Sequence, residues 1–207
     1  MDRFEQSLKS NMESFDLDLP RETLAQLAAF YSLLTHWNDR LHLVAPCSPE
    51  EFATRHVLES LMLLKHLPQD AKIADIGSGA GLPIIPCLLA RPDLRATLIE
   101  SSQKKSVFLR EALNQLGRPS IIIPKPFEQV DPPDVAFVTC RALDQFIDKV
   151  SALIRWAPAG STLLLYGGES LREQLLKANV KFEESLISLS EKRFLFVVAT
   201  DYTDHAD

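Results

Sequence analysis

Cysteine is scarce in this chain. Cys47, Cys87 and Cys140 are an odd number with no CxxC pair, which argues against a disulfide framework and against a zinc cluster, so no metal site is expected. Long apolar runs are missing as well. Nothing approaches the roughly 18 consecutive apolar residues of a membrane-spanning helix, so no membrane partner is expected. The opening stretch, MDRFEQSLKSNMESF, mixes acids with bases and lacks an apolar core, and a cytoplasmic location is the expectation. An excess of positive charge is the third absence. The formal net charge is −6, whereas a protein that coats nucleic acid without selectivity is usually basic. Any contact with nucleic acid has to run through a local basic patch and should be salt-sensitive. There is no internal repeat, no low-complexity tract and no linker rich in Gly, Ser or Pro.

What remains is 207 residues, 46% of them hydrophobic, enough for a full core in one domain with a small appendage. The first 70 residues read as helical. Leu24, Leu27, Tyr31, Leu34, Trp37 and Leu41 recur at spacings of three and four, one apolar helix face, with Pro20 suited to its start. A second periodic stretch, Arg55 to Leu67, puts Leu58, Leu61, Met62 and Leu64 inward; Pro46, Ser48 and Pro49 punctuate the gap. From Lys72 short apolar runs alternate with helical patterns. Strands are expected at 72–76, 95–100, 119–123, 134–139 and 161–166, with helices at 82–91, 103–116, 143–156 and 168–178. That alternation predicts a parallel sheet covered on both faces. Two further strands, 182–189 and 193–199, are joined by only Ser190–Lys192 and should form an antiparallel hairpin. The expected fold class is α/β: a doubly wound, mostly parallel sheet (71–207) with an antiparallel C-terminal edge, and an N-terminal helical cap (1–70).

The turn after the first strand, KIADIGSGAGLP, carries Gly77, Gly79 and Gly81 at every second position behind Asp75. In this architecture a ligand binds where the first strand meets its helix, and glycine lets backbone approach it closely. Dinucleotide enzymes space the glycines GxGxxG and hold a pyrophosphate on the helix N-terminus. Here an acid stands at the mouth, which repels phosphate and welcomes a cation such as the amino group or sulfonium of S-adenosylmethionine. Glu100 ends the second strand, where an acid grips ribose hydroxyls through charge-assisted bonds. S-adenosylmethionine is therefore the expected cofactor, with a nicotinamide dinucleotide as the rival.

At this point the chain resembles a known family. WNDRLHLVAP (37–46), RHVLESL (55–61), DIGSGAGLPIIP (75–86), ESSQKKSVFLREALNQLG (100–117) and CRALD (140–144) stand in the order found in the bacterial small-subunit rRNA guanine-N7 methyltransferases, also called glucose-inhibited division protein B. The resemblance implies a class I Rossmann-like methyltransferase that methylates N7 of a guanine in 16S ribosomal RNA, as naked RNA or small ribosomal subunit, and acts as a monomer without DNA. It implies cofactor roles for Gly77, Leu82, Phe127, Glu128 and Arg141. The chain departs from the family where Asn-Leu-Thr is usual (His42, Leu43 and Val44 here), at Ile84 for a glycine, at Glu59 for an aspartate, and at Tyr166-Gly167 for Lys-Gly.

N7 of guanine offers an in-plane lone pair and bears no proton, so attack on a sulfonium methyl needs alignment and exclusion of water rather than a base. In keeping with that, the fourth strand is not followed by the Asp/Asn-Pro-Pro-aromatic stretch of amino-methylating enzymes. Cys140 at that strand end is the candidate nucleophile of a cytosine-C5 RNA methyltransferase, the rival chemistry; its plain alternative is a small buried core residue. Arg141 is the candidate catalytic and cofactor-contacting cation, able to meet a carboxylate or the guanine O6 edge; its alternative is an ion pair with Asp144. Phe127 can stack on adenine or simply fill the core. Arg55, His56, Lys104, Lys105 and Arg110 are the candidate RNA contacts, with Arg40, Arg91 and Arg95 as further members of a phosphate patch. A ribosome-assembly factor that binds the cofactor without turnover is the non-enzymatic alternative.

Overall fold

The computed structural model describes residues 3–141 and 147–200. Seven strands form one sheet in the order β3-β2-β1-β4-β5-β7-β6. They are β1 (Lys72–Ile76), β2 (Arg95–Ile99), β3 (Ile121–Ile123), β4 (Phe137–Cys140), β5 (Thr162–Gly167), β6 (Phe182–Leu186) and β7 (Phe194–Ala199). The first five run parallel; β7 is antiparallel to both β5 and β6. Every residue of β1 and β2 after the first is buried, as expected of central strands covered on both faces. The hairpin connection spans residues 187–193, because pairing ends at Leu186↔Phe194. It is longer than the expected three-residue turn.

Alternate residues divide between two cores. Ile73, Leu98, Leu164, Tyr166 and Leu195 pack with the N-terminal helices and with α5 (Ile84–Ala90) and α6 (Gln103–Gln115). Ala74, Ile76, Leu163, Leu165 and Phe196 pack with α7 (Val150–Trp156) and α8 (Glu169–Lys177) on the other face. The cap begins with α1 (Arg3–Asn11), whose Phe4 stacks on Tyr31 at 4.5 Å between centroids. The long α2 (Arg21–Leu41) follows and starts behind Pro20, as expected. Its C-cap, His42, sits in the left-handed region at φ 48, a conformation that Asn or Gly adopts at less cost. Asn38 then brackets the next turn: its side chain accepts from Val44 N (2.9 Å) and donates to Val44 O (3.1 Å).

The second periodic stretch of the cap is helical but not one α-helix. It passes from α3 (Pro49–Glu51) through a π-helix (Phe52–Leu58) and α4 (Glu59–Leu61) to a 3-10 helix (Met62–His66). Changing the winding from wide to tight rotates side chains off the 3.6-residue period. Leu63 is consequently fully buried, and Leu64, expected inward, is only half-buried.

Candidate active site

The strand order reverses between β1 and β4, and a cleft of about 740 Å³ opens outside the C-terminal ends of the strands there, the place where doubly wound sheets bind ligands. Its floor is the turn after β1. Gly77 and Gly79 have φ 67 and 49, and a Cβ at Gly77 would meet nothing within 4 Å. The bare backbone therefore faces open space kept for something else. At Gly81 the requirement is packing: a Cβ there would lie 2.3 Å from Ile85 Cδ1.

Glu100, buried at the end of β2, ties this floor together. One carboxylate oxygen accepts from Gly79 N (2.8 Å) and the other from Ser102 N (2.7 Å). Each oxygen retains a lone pair, and Glu100 lines the cleft. That is a fixed bidentate acceptor for a diol. Asp75 differs from the expectation of an open acid at the mouth. It is 1% exposed and does not line the cleft, because it is the penultimate residue of β1 with its side chain turned into the sheet layer. Ser78 Oγ donates to its backbone carbonyl (2.9 Å), and both carboxyl oxygens are without a hydrogen-bond partner among the described residues. Burial, and behind it the charge of Glu100, pushes this carboxyl well above its usual 3.8.

The far side of the cleft is the 3-10 turn Phe127–Gln129 after β3. The Phe127 ring packs edge-on to Trp156 at 5.6 Å, and Lys149 lies over it at 5.9 Å. Glu128 is held by the same lysine at 2.6 Å. Leu82, whose bond to Pro83 is cis, lines the cleft with them. Bare-backbone floor, diol acceptor and aromatic side wall fit S-adenosylmethionine in its nucleoside and base parts.

The opposite wall is the cap. Arg55, His56 and Glu59 of the irregular helix line the cleft with Arg141, Tyr166 and Arg193. His56 is half-buried, and its loss of hydration, followed by the charges of Arg141, Arg55 and Arg193, lowers its pKa to about 3; it stands as a neutral ring, a hydrogen-bonding group and not a phosphate-binding cation. Arg141 does reach the cleft, but both its terminal nitrogens are engaged by the cap: Nη2 donates to Arg55 O (2.6 Å) and Glu59 (3.2 Å), Nη1 to His56 O (3.3 Å) and Ser60 Oγ (3.2 Å). Asp144, its expected surface partner, lies outside the described residues. Cys140 is buried, and burial followed by the charge of Asp75 pushes its thiol up, which disfavours the thiolate a covalent mechanism requires.

Not every expected residue arrives. Lys105 lines the cleft; Lys104, its chain neighbour, and Arg110, more than a turn further along α6, are exposed and do not. Arg40 lines a separate shallow groove with Trp37 and Val107. Arg91 and Arg95 are displaced from any patch at the cleft, since Arg95 begins β2 at the opposite end of the sheet and Arg91 is paired with Asp93 at 2.6 Å. Conversely, Lys125, Lys149 and Arg193 line the cleft without having been singled out. They come from three connections with no motif of their own. Glu59 had a signal: a lone acid inside the apolar run VLESLML is rarely buried without a partner. In all, six basic side chains (Arg55, Lys105, Lys125, Arg141, Lys149, Arg193) face three acidic ones (Glu59, Glu100, Glu128) here, in a chain of net charge −6.

Fold and cleft together define a class I S-adenosylmethionine-dependent methyltransferase. An S-adenosylmethionine-dependent methyltransferase from Aquifex aeolicus superposes with a TM-score of 0.60 at 13% identity, over 82% of this chain and 97% of that one. An O-methyltransferase from Bacillus cereus in complex with SAH does so at 0.59 and 13%, over 95% and 99%; at such identities the likeness is one of fold. The family is settled by sequence. Residues 23–199 match the family model described as rRNA small subunit methyltransferase G, and the chain belongs to that family. It is 37% identical over 183 residues to ribosomal RNA small subunit methyltransferase G of Halorhodospira halophila, covering 86% of each, and 29% identical over 194 residues to the protein of that name from Ruegeria pomeroyi, covering 90% of this chain and 95% of that one.

Proposed function

We propose that this protein is an S-adenosylmethionine-dependent rRNA methyltransferase that methylates N7 of a guanine in 16S ribosomal RNA, acting as a monomer in the cytoplasm on RNA rather than DNA. The observation that carries the reading is the division of one cleft into two halves. The half floored by Gly77 and Gly79, with Glu100 and Phe127, suits a nucleoside; the half formed by the cap and Arg193 is cationic and suits RNA.

S-adenosylmethionine supplies an electrophilic methyl when bound. Glu100 would accept from the ribose diol, Phe127 with Glu128 would flank the adenine, and Asp75, buried beneath the glycine turn and outside the cleft, would support that turn rather than touch the ligand. Leu82 closes the cofactor side. Lys105, Arg55 and Arg193 would hold the RNA backbone, and His56 offers a neutral ring to the base. Lys104 and Arg110 would add longer-range attraction from α6. Arg141 would act through the wall it holds. The chemistry asks for no proton acceptor, and among the described residues the acids that line the cleft are all engaged: Glu100 by two amides, Glu128 by Lys149, Glu59 by two arginines. Alignment and exclusion of water then supply the rate.

The test is transfer of labelled methyl to small subunits, or to naked 16S rRNA, from a strain lacking the modification, with the product nucleoside identified by mass spectrometry. 7-Methylguanosine is expected. 5-Methylcytidine, or cofactor binding without transfer to either substrate, overturns the proposal.

A further inference from the structure

The cap wall of the cleft is wound irregularly, and side chains from the core attach where the winding changes. Where the π-helix gives way through α4 to the 3-10 turn, side chains from the core add bonds to the helix carbonyls. Arg141 takes those of Arg55 (2.6 Å) and His56 (3.3 Å). Tyr166, at the end of β5, places its hydroxyl 2.9 Å from Glu59 O and 3.2 Å from Ser60 O. Cys87 Sγ donates to Ser60 O at 3.2 Å. Glu59 closes the arrangement. Its carboxylate, 2% exposed, meets Arg141 through one oxygen (3.2 Å) and Arg193 through the other (3.1 Å to Nε, with Nη2 also donating). The Tyr166 ring lies beneath the Arg141 guanidinium at 5.7 Å. Three other pieces of chain thus converge on one buried residue of the cap: the end of β4 and the hairpin connection on the Glu59 carboxylate, through Arg141 and Arg193, and the end of β5 on its backbone carbonyl, through Tyr166.

Two features set this apart from ordinary core packing. The bonds fix backbone and guanidinium groups that border the cleft, not groups remote from it. Arg193 also remains 38% exposed while Glu59 grips its Nε edge, so the side chain is oriented yet open to a ligand. Arg presents planar donors to phosphate, and a guanidinium held in place loses less freedom on binding than a free one.

We infer that Glu59 and Tyr166 are positioning residues for the RNA: almost wholly buried within the wall, they lock the π-helix and Arg193 into the single arrangement in which Arg193 and Arg55 meet the RNA backbone. This rests on the RNA-methyltransferase reading of the cleft. Neither residue is required to contact the cofactor, whose nucleoside half is built from β1, β2 and the turn after β3.

The experiment is a double-mutant cycle on the full chain, with Glu59→Gln, Arg193→Gln and the pair, reading affinity for unmodified 16S rRNA transcript and, separately, for S-adenosylmethionine. Glu59→Gln should weaken RNA binding about 10-fold, the loss of one oriented charge contact, and leave cofactor affinity within about twofold. The double variant should bind RNA no worse than Arg193→Gln alone, because Glu59 acts through that arginine. Tyr166→Phe, which removes only the hydroxyl, should show the same selectivity in smaller measure and guards against a Glu59 variant that fails to fold. Additive losses in the cycle, or equal weakening of RNA and cofactor in both Glu59→Gln and Tyr166→Phe, overturn the inference. Methyl transfer by the unaltered protein is read in parallel: its failure strikes the functional reading, whereas the variant-to-parent ratios strike the positioning role.

Discussion

Burial moves Asp75 and His56 in opposite directions along the pH axis. The Asp75 carboxyl is pushed well above 3.8, and the His56 ring falls to about 3. For Asp75 the unfolded chain gives up its proton first. Stability is therefore complete below the unfolded pKa and declines as pH rises toward the folded one. For His56 the unfolded chain takes up a proton first, so stability falls as pH drops from about 6.5 toward 3. Comparing Asp75→Asn with the parent cancels the histidine. The melting temperature of Asp75→Asn, relative to the parent, should rise as pH climbs above about 4, because the amide has no ionisation to suppress. Its affinity for S-adenosylmethionine should fall by less than about 10-fold, because the carboxyl lies beneath the turn and outside the cleft. A flat difference in melting temperature would show that the carboxyl ionises freely in the fold; a loss of calorimetric affinity of about 100-fold would show that it reaches the cofactor directly. Cys140 offers the complementary residue-scale test. With its thiol held up by burial, Cys140→Ala should keep methyl transfer to rRNA within a few-fold in a filter assay, whereas a covalent cytosine mechanism would be abolished.

At the scale of elements, α6 and the irregular cap helix divide the RNA-facing charge. Lys105 lines the cleft and Lys104 is exposed beside it, so the two should separate in a salt titration. Lys105→Gln should lower the slope of log affinity against log salt by about 0.7 to 0.9, one phosphate contact, with little change for the cofactor. Lys104→Gln should change it less; a slope unaltered by Lys105→Gln would take that lysine off the RNA. The sheet, its helices and the glycine turn were legible because period-two and 3.6-residue patterns are local, and the expected strands at 72–76 and 95–100 match β1 and β2 nearly to the residue. Glu100 was legible because its place follows from the fold. The cap was harder to read: no local pattern announces a π-helix, and Leu63 took the place of Leu64 in the core. Arg193, Lys149 and Lys125 were invisible because only the folded topology brings three unrelated connections to one cleft. Asp75 was misplaced for the same reason, since a motif gives position along a strand and not depth beneath a surface.

Across the whole molecule, the cap and the sheet share one interior. Phe4, Leu27, Phe30 and Phe52 belong to the same buried cluster as Ile73, Leu164 and Leu195, and the cap carries the Glu59 that pairs with Arg141 and Arg193 of the sheet side. Removing residues 1–70 would leave only α5 and α6 on that face of the sheet and take the counter-charge of Glu59 from Arg141 and Arg193. Exposing one fully buried Leu or Ile costs about 1.5–3 kcal/mol, and Ile73, Leu164 and Leu195 of the remaining chain are all fully buried in this cluster. Three such exposures are comparable to the ~5–15 kcal/mol that holds a typical domain together. Residues 71–207 made alone should therefore lack a cooperative melting transition, although they contain the whole glycine turn and Glu100. The intact chain should melt in one transition that moves upward as a unit when S-adenosylmethionine is added, by about 2.7 kcal/mol at a hundredfold excess over its dissociation constant. Calorimetry that resolves two transitions, with only one responding to the cofactor, would make the cap a separate folding unit and would leave its wall of the cleft free to move independently of the floor.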